Sequence, residues 1–208
     1  MTALETPLNL VPFVSIDVET TGLDPQSDAI VEIGAVKVQG GRILDEFCTL
    51  VYVDRTIPLG ARRVHGISND MLVGKPHIRE ALAMLWHFAG DGALVEHSYQ
   101  AFDALFLEKA HGSSLTLPYI NTCTLSRRLF PHVPKHGLEE CCRRFRIANA
   151  DQHRALGDAR ATASLLLCLL ELCSTRYPRL QDLAAVASIE REIGRPSRKR
   201  RHRSWHRA

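Results

Sequence analysis

Residues Phe13-Val14-Ser15-Ile16-Asp17-Val18-Glu19-Thr20-Thr21-Gly22 decide the reading of this chain. Phe13–Val18 is a short apolar run rich in β-branched residues, expected to form a buried strand. Successive side chains of a strand point to opposite faces, so Asp17 and Glu19 project together from its end. Two carboxylates so placed repel each other unless a divalent cation lies between them. A strand end that simply reaches water is the plainer alternative, and this segment alone leaves both open.

Outward from this strand, Ala29–Val38 alternates well enough for a second strand, and Gly40-Gly41 is a hairpin turn into a third, Arg42–Val51. Three strands joined by short turns predict an antiparallel meander. Ile78–Ala89 follows Pro76 and spaces Ile78, Ala81, Leu82, Leu85 and Phe88 along one helical face. Ala93–Glu96 reads as a short strand, Phe102–Ala110 as a helix and Ile120–Cys123 as a last strand. Leu138–Phe145, Gly157–Cys173 and Leu180–Ile189 read as helices. Strands first, then strands alternating with helices, predict an α/β domain with a mixed sheet. The domain is placed at residues 13–190, after an N-terminal extension (1–12) and before a basic, disordered tail (191–208).

Two further acids bear on the first pair. Asp103 follows Phe102 at a helix start just beyond Ala93–Glu96. Asp158 lies in His153-Arg154-Ala155-Leu156-Gly157-Asp158-Ala159, at the start of the most apolar helix. An acid in a first helical turn is favoured by the helix dipole, and His153 alone reads as a surface or packing histidine. The sharper reading is that four acids from three segments converge on two Mg²⁺ or Mn²⁺ ions, with His153 beside them. Oxygen-only ligand sets suit these hard cations.

The order Asp17-x-Glu19, then Phe102-Asp103, then His153-Arg154-Ala155-Leu156-x-Asp158-Ala159 resembles the DEDDh 3′–5′ exonucleases of the DnaQ-like group, which includes a proofreading subunit of bacterial DNA polymerase III. The likeness runs from about Phe13 to about Leu172 and includes Val64-His65-Gly66-Ile67-Ser68. It implies a ribonuclease H-like fold, a five-stranded mixed sheet flanked by helices. It implies that Asp17, Glu19 and Asp158 hold one metal, that Asp17 bridges to a second, and that Asp103 completes the site through water. His153 would take the proton from the attacking water, a role suited to an imidazole. Thr20, Thr21, Gly22, Leu23, Val64, His65 and Phe102 correspond to positions around the terminal nucleotide, with the turns made by Gly22 and Gly66 as the structural alternative. The implied reaction is hydrolysis of DNA from the 3′ end to 5′-mononucleotides, in proofreading or repair beside a DNA polymerase. RNA 3′-end trimming and a mainly binding polymerase subunit are the alternatives. One stretch departs from the pattern. Where the group has His-Asn-Ala-x-Phe-Asp, this chain has His97-Ser98-Tyr99-Gln100-Ala101-Phe102-Asp103, one residue longer, with Tyr99 or Gln100 expected in the place of the Asn.

Composition narrows the class further. The 208 residues are 45% hydrophobic and 24% charged, enough for one well-buried domain. The most apolar stretch, Ser164–Cys173, is broken by Glu171 and falls short of the roughly 18 apolar residues of a membrane span. Met1–Pro12 has no basic start followed by an apolar block, so a signal peptide is not expected. Six cysteines without a Cys-x-x-Cys pair suggest reduced thiols and a cytoplasmic protein. Of 26 Lys and Arg, seven lie in 195–208 without an acid, leaving 19 against 23 acids in the body. A mildly acidic body with a strongly basic end suggests either a solubilising tail or one that holds a nucleic-acid backbone.

Overall fold

The Phe13 run forms the central strand of one sheet in the computed structural model, which describes residues 3–188. In chain order the strands are β1 (Phe13–Thr20), β2 (Ile30–Gln39), β3 (Arg42–Leu50), β4 (Ala93–Glu96) and β5 (Tyr119–Asn121). Their order across the sheet is β3-β2-β1-β4-β5. The β1–β2 and β2–β3 pairs are antiparallel, whereas β1–β4 and β4–β5 are parallel, so the sheet is mixed as expected. Gly40 and Gly41 both take positive φ, which tightens the β2–β3 hairpin in a way most residues resist.

Helices cover both faces: α1 (Leu59–His65), α2 (Asn69–Leu72), α3 (Ile78–Ala89), α4 (Phe102–His111), α5 (Thr122–Leu129), α6 (Leu138–Phe145), α7 (Ala155–Cys173) and α8 (Leu180–Ala187). Alternation along β1 divides the core. Val14, Ile16 and Val18 pack with Leu82 and Leu85 of α3 and Phe106 and Leu107 of α4. Phe13 packs on the other face with Leu165, Leu166 and Leu169 of α7 and Leu183 of α8. Asp17 and Glu19 continue the odd-numbered series, so the polar end of β1 belongs to the α7 face.

Three helices escape the sequence reading, and one strand is corrected. Ile120–Cys123 is not a strand throughout; β5 ends at Asn121 and α5 begins at Thr122. The cause is local, because the Asn121 side chain accepts the Thr124 N–H at 2.9 Å and caps the helix there. The short helices α1 and α2 carry too little periodic pattern to announce themselves. Helix α7 starts at Ala155 rather than Gly157, for a reason that lies in the site below.

The segment before β1 is docked. Leu8 and Val11 are buried beside α8, and the N–H groups of Leu180 and Gln181 donate to the Thr6 and Leu4 carbonyls. All six cysteines are free thiols, four of them buried. Among the described residues no helix is long and apolar enough to cross a membrane. Ile189 and the basic tail lie outside the described residues.

Candidate active site

The acids meet where three segments converge. Oxygen atoms of Asp17 and Glu19 on β1 and Asp158 on α7 all lie within 4.8 Å of one another. Glu19 sits at an irregularity in the β1–β2 register, since it pairs with Glu32 while Thr20 pairs with Ile30. Such a bulge re-aims the side chains of a strand end. Asp103 joins from α4. Strand β4 pairs with β1 only from Phe13 to Ser15, which leaves the later edge of β1 without a strand beside it. The Val18 N–H on this stretch donates to Asp103 Oδ1 at 2.9 Å, so the carboxylate fills the place of a missing strand.

Electrostatics mark these groups as a set. Burial, then the charges of Asp103, Asp158, Glu19 and Glu96, push the Asp17 carboxyl well above the usual carboxylate range. Burial and the Asp158 charge raise Glu19 to about 8. Burial and the Glu96 charge raise Asp103 likewise. Acids of like charge gathered out of water hold their ionised form poorly unless a cation joins them. The all-oxygen donor set of Asp17, Glu19 and Asp158 therefore fits a hard divalent metal.

Asp158 is fixed from both sides of its carboxylate. Asn149 Nδ2 donates to Oδ1 at 2.8 Å, and the His153 N–H donates to Oδ2 at 3.0 Å. His153 holds φ at +60, a left-handed conformation that His adopts more readily than bulky or β-branched residues, and its side chain is exposed. Behind it, Arg154 forms a fork on the buried Glu32 of β2, with Nη2 2.5 Å from Oε1 and Nε 3.1 Å from Oε2. The Ala155 N–H also donates to Glu32 Oε2, at 2.9 Å. Glu32 thus caps α7 from a strand 123 residues away, which is why the helix starts two residues early. Gly34 lets the two meet, since a Cβ there would lie 2.3 Å from the Ala155 carbonyl carbon.

The longer second motif closes through Ser98 and Glu96 rather than Tyr99 or Gln100. The Ser98 hydroxyl donates to Glu96, and Ser98 Oγ accepts the Phe102 N–H at 3.0 Å. The other Glu96 oxygen accepts the Ala104 N–H at 2.8 Å. Ala101, at φ +53, takes up the extra residue immediately before α4.

The expected substrate positions divide. His65 is buried against the Thr20 backbone, and Val64 precedes it at the end of α1, so these two segments do come together. Burial holds the His65 imidazole below its ordinary pKa. Thr21 is buried and committed to Asp28 and to the Ala29 N–H. Gly22 is required by the same turn, because a Cβ would fall 2.4 Å from the Asp28 carboxylate. Gly66 ends α1 at φ +73, which fits its turn-forming alternative. Leu23 is exposed, and Phe102 is half-buried against Phe106. The pattern reading missed Glu32, Arg154 as its partner, Asn149, Glu96 and Ser98. One signal was present: Glu32 interrupts the apolar run Ile30-Val31-Glu32-Ile33.

A family model described as Exonuclease matches residues 14–166, most of the chain. The chain belongs to the exonuclease family. Within this family it is 37% identical over 169 residues to the DNA polymerase III subunit epsilon of Aquifex aeolicus, covering 79% of this chain and 83% of that protein. It is 33% identical over 199 residues to the PolC-type DNA polymerase III of Bacillus subtilis, covering 93% of this chain but 13% of that much longer protein. A solved structure of exonuclease X in complex with 5′ overhanging duplex DNA matches with a TM-score of 0.69 and 29% identity, over 83% of this chain and 99% of that one. The sheet and helices described above are therefore the ribonuclease H-like exonuclease fold, and the chain is a phosphodiester hydrolase of the DnaQ type, related to the epsilon subunit.

Proposed function

We propose that the protein is a metal-dependent 3′–5′ exonuclease that releases 5′-mononucleotides from the 3′ ends of single-stranded or frayed DNA. The observation that carries this reading is the convergence of Asp17, Glu19 and Asp158 oxygens within 4.8 Å, with Asp103 bound to the same strand. These four acids would hold two Mg²⁺ or Mn²⁺ ions. Such ions supply a hydroxide near neutral pH and offset charge on the attacking and leaving oxygens.

Each residue around them has a part in that reaction. An imidazole nitrogen of His153 accepts the proton of the attacking water, and the exposed ring has room to reach it. Its backbone bond to Asp158 ties the base to a metal-holding acid, so both move as one unit. The Glu32–Arg154 fork anchors that unit to β2. The chain segments at Val64–His65 and Thr20–Leu23 surround the terminal nucleotide, and Phe102 borders it. Frayed ends suit this arrangement, because an unpaired base costs least to draw out of a duplex.

DNA as the substrate is supported by the exonuclease X complex with duplex DNA. The relatives named as DNA polymerase III proteins support a place beside a polymerase in the cytoplasm, in proofreading or repair. The test is degradation of 3′-labelled DNA and RNA oligomers of equal sequence with Mg²⁺. The expected result is 5′-mononucleotides from DNA, lost in EDTA and restored at least in part by Mn²⁺. Faster cleavage of RNA would replace the reading with 3′-end trimming, and robust activity in EDTA would overturn the metal centre.

A further inference from the structure

Tyr99 lies in the loop between β4 and α4 and is 53% exposed. The Arg127 guanidinium, from the last turn of α5, lies over its ring at 4.8 Å from the centroid. Arg128 follows it, also exposed. The loop that carries Tyr99 is firmly held. Asn121 Nδ2 donates to the Ser98 carbonyl at 3.0 Å, and the His97 ring bridges Thr122 Oγ1 and the His136 carbonyl at 2.9 and 2.8 Å. A ring presented to water on so well-anchored a loop is preorganised for a flat partner.

Its location specifies the partner. Strands β1, β4 and β5 run parallel, so Glu19, Glu96 and Asn121 mark one edge of the sheet. The Tyr99 loop leaves from this edge, and α5 starts there. Asp103 lies four positions after Tyr99, which bounds their Cα separation at about 14 Å. A DNA strand whose 3′ end reaches the carboxylates therefore has its preceding nucleotides within range of the pair. Those acids repel a polyanion, and a nearby guanidinium offsets the repulsion.

We propose that Tyr99 and Arg127 form a platform for single-stranded DNA behind the scissile bond, the ring stacking on a base and the guanidinium meeting the adjoining phosphate. The platform rests on the exonuclease reading above and adds to it a binding subsite carried by the lengthened second motif. Stacking on an aromatic face tolerates any base, so the platform reads strand chemistry rather than sequence. The pair of a ring and a guanidinium meets the two faces of a nucleotide, one flat and one anionic.

The test compares the full chain with its Tyr99→Ala, Tyr99→Phe and Arg127→Ala variants on two substrates. One is a single-stranded DNA oligomer; the other is the p-nitrophenyl ester of thymidine 5′-monophosphate, too short to reach the platform. Tyr99→Ala should lower the ratio of oligomer to ester kcat/KM by about 5- to 150-fold, mainly through a higher oligomer KM. Tyr99→Phe, which keeps the ring, should restore most of that ratio. Arg127→Ala should flatten the log–log salt dependence of oligomer KM by about 0.7, one phosphate contact. An unchanged ratio in Tyr99→Ala, or an equal loss on both substrates, would overturn the platform while leaving the exonuclease reading in place. Hydrolysis of neither substrate by the unmodified protein would overturn that reading and the platform with it.

Discussion

Asp103 and Asp158 are both first-turn acids of helices that begin beside β1, and the protein closes the two helix starts in opposite ways. The α4 start is closed by neighbours in sequence: Glu96 and Ser98 satisfy its opening N–H groups within eight residues. The α7 start depends on distant ones, since Glu32 on β2 fixes Arg154 and the Ala155 N–H across more than 120 residues. The charge differs as well. The α7 start pairs a buried acid with a part-exposed arginine, whereas the α4 start packs Asp103 against a second acid, Glu96. The cap of α7 has its countercharge within the protein, whereas the charges of Asp103 and Glu96 oppose each other.

Asp17 stands between the two starts, raised by Asp103 and Asp158 alike, so its loss should have the largest effect. Asp17→Ala should leave no turnover above background in either Mg²⁺ or Mn²⁺, measured as mononucleotide release. Near-normal turnover would break the comparison, because the two starts would then work without their shared ligand. His153→Ala should come next. A general base contributes roughly 10²- to 10⁴-fold, so single-turnover cleavage should slow by that factor while the Mg²⁺ half-saturation stays the same. A shifted Mg²⁺ requirement would instead show that His153 serves to hold Asp158.

The α7 start is tested by stability. Arg154→Ala leaves Glu32, 1% exposed, as a buried charge without its guanidinium. Breaking such a pair by removing one partner costs about 3–5 kcal/mol, read from denaturant unfolding. Adding Glu32→Gln should recover much of that loss, because the amide oxygen still caps Ala155 but carries no charge. Equal instability of the single and double variants would show that packing, not charge, holds the α7 start.

The cluster of acids between the two starts is tested by pH. Glu19 titrates near 8 in the folded chain against an ordinary 4.5, so between these values the folded state binds more protons than the unfolded one. Stability without metal should therefore fall as pH rises from about 4.5 to about 8, and the raised Asp17 and Asp103 act in the same direction. Mg²⁺ or Mn²⁺ favours the ionised carboxylates and should flatten this decline. The measurement is Tm against pH in EDTA and in Mg²⁺. A metal-free Tm that rises across this range would contradict the burial of unneutralised acids.

The same contrast explains what the amino-acid pattern disclosed. The β1–β3 meander is legible because strand alternation and the Gly40-Gly41 turn are local signals. The four acids are legible as a set because three short motifs stand in order. The true start of α7 is not, since its cap comes from Glu32, which only the folded sheet brings to Ala155. Helix α5 turns on Asn121, a residue that closes a strand and caps a helix at once. The left-handed backbone of His153 has no pattern to betray it. The commitment of Thr21 and Gly22 to Asp28 is likewise a tertiary fact that their motif does not disclose.

The smallest effect belongs to a second arginine of α7. Arg160 forks onto Glu46 of β3 at 2.8 and 2.6 Å, the same chemistry as Arg154 on Glu32 and the same helix on the same sheet. The two arginines are almost equally exposed, at 44% and 43%, and the main difference lies in the acids: Glu46 is 34% exposed against 1% for Glu32. Water already solvates both charges of the outer pair, so removing one strands little. Arg160→Ala should thus lower stability by no more than about 1 kcal/mol, and high salt should shrink that loss further. The Arg154→Ala loss should persist in the same salt, because the buried charge is out of reach of screening ions. The measurement is denaturant unfolding of both variants at low and high ionic strength. A loss of 3 kcal/mol or more at Arg160 would show that the fork geometry, rather than burial, sets the strength of these contacts.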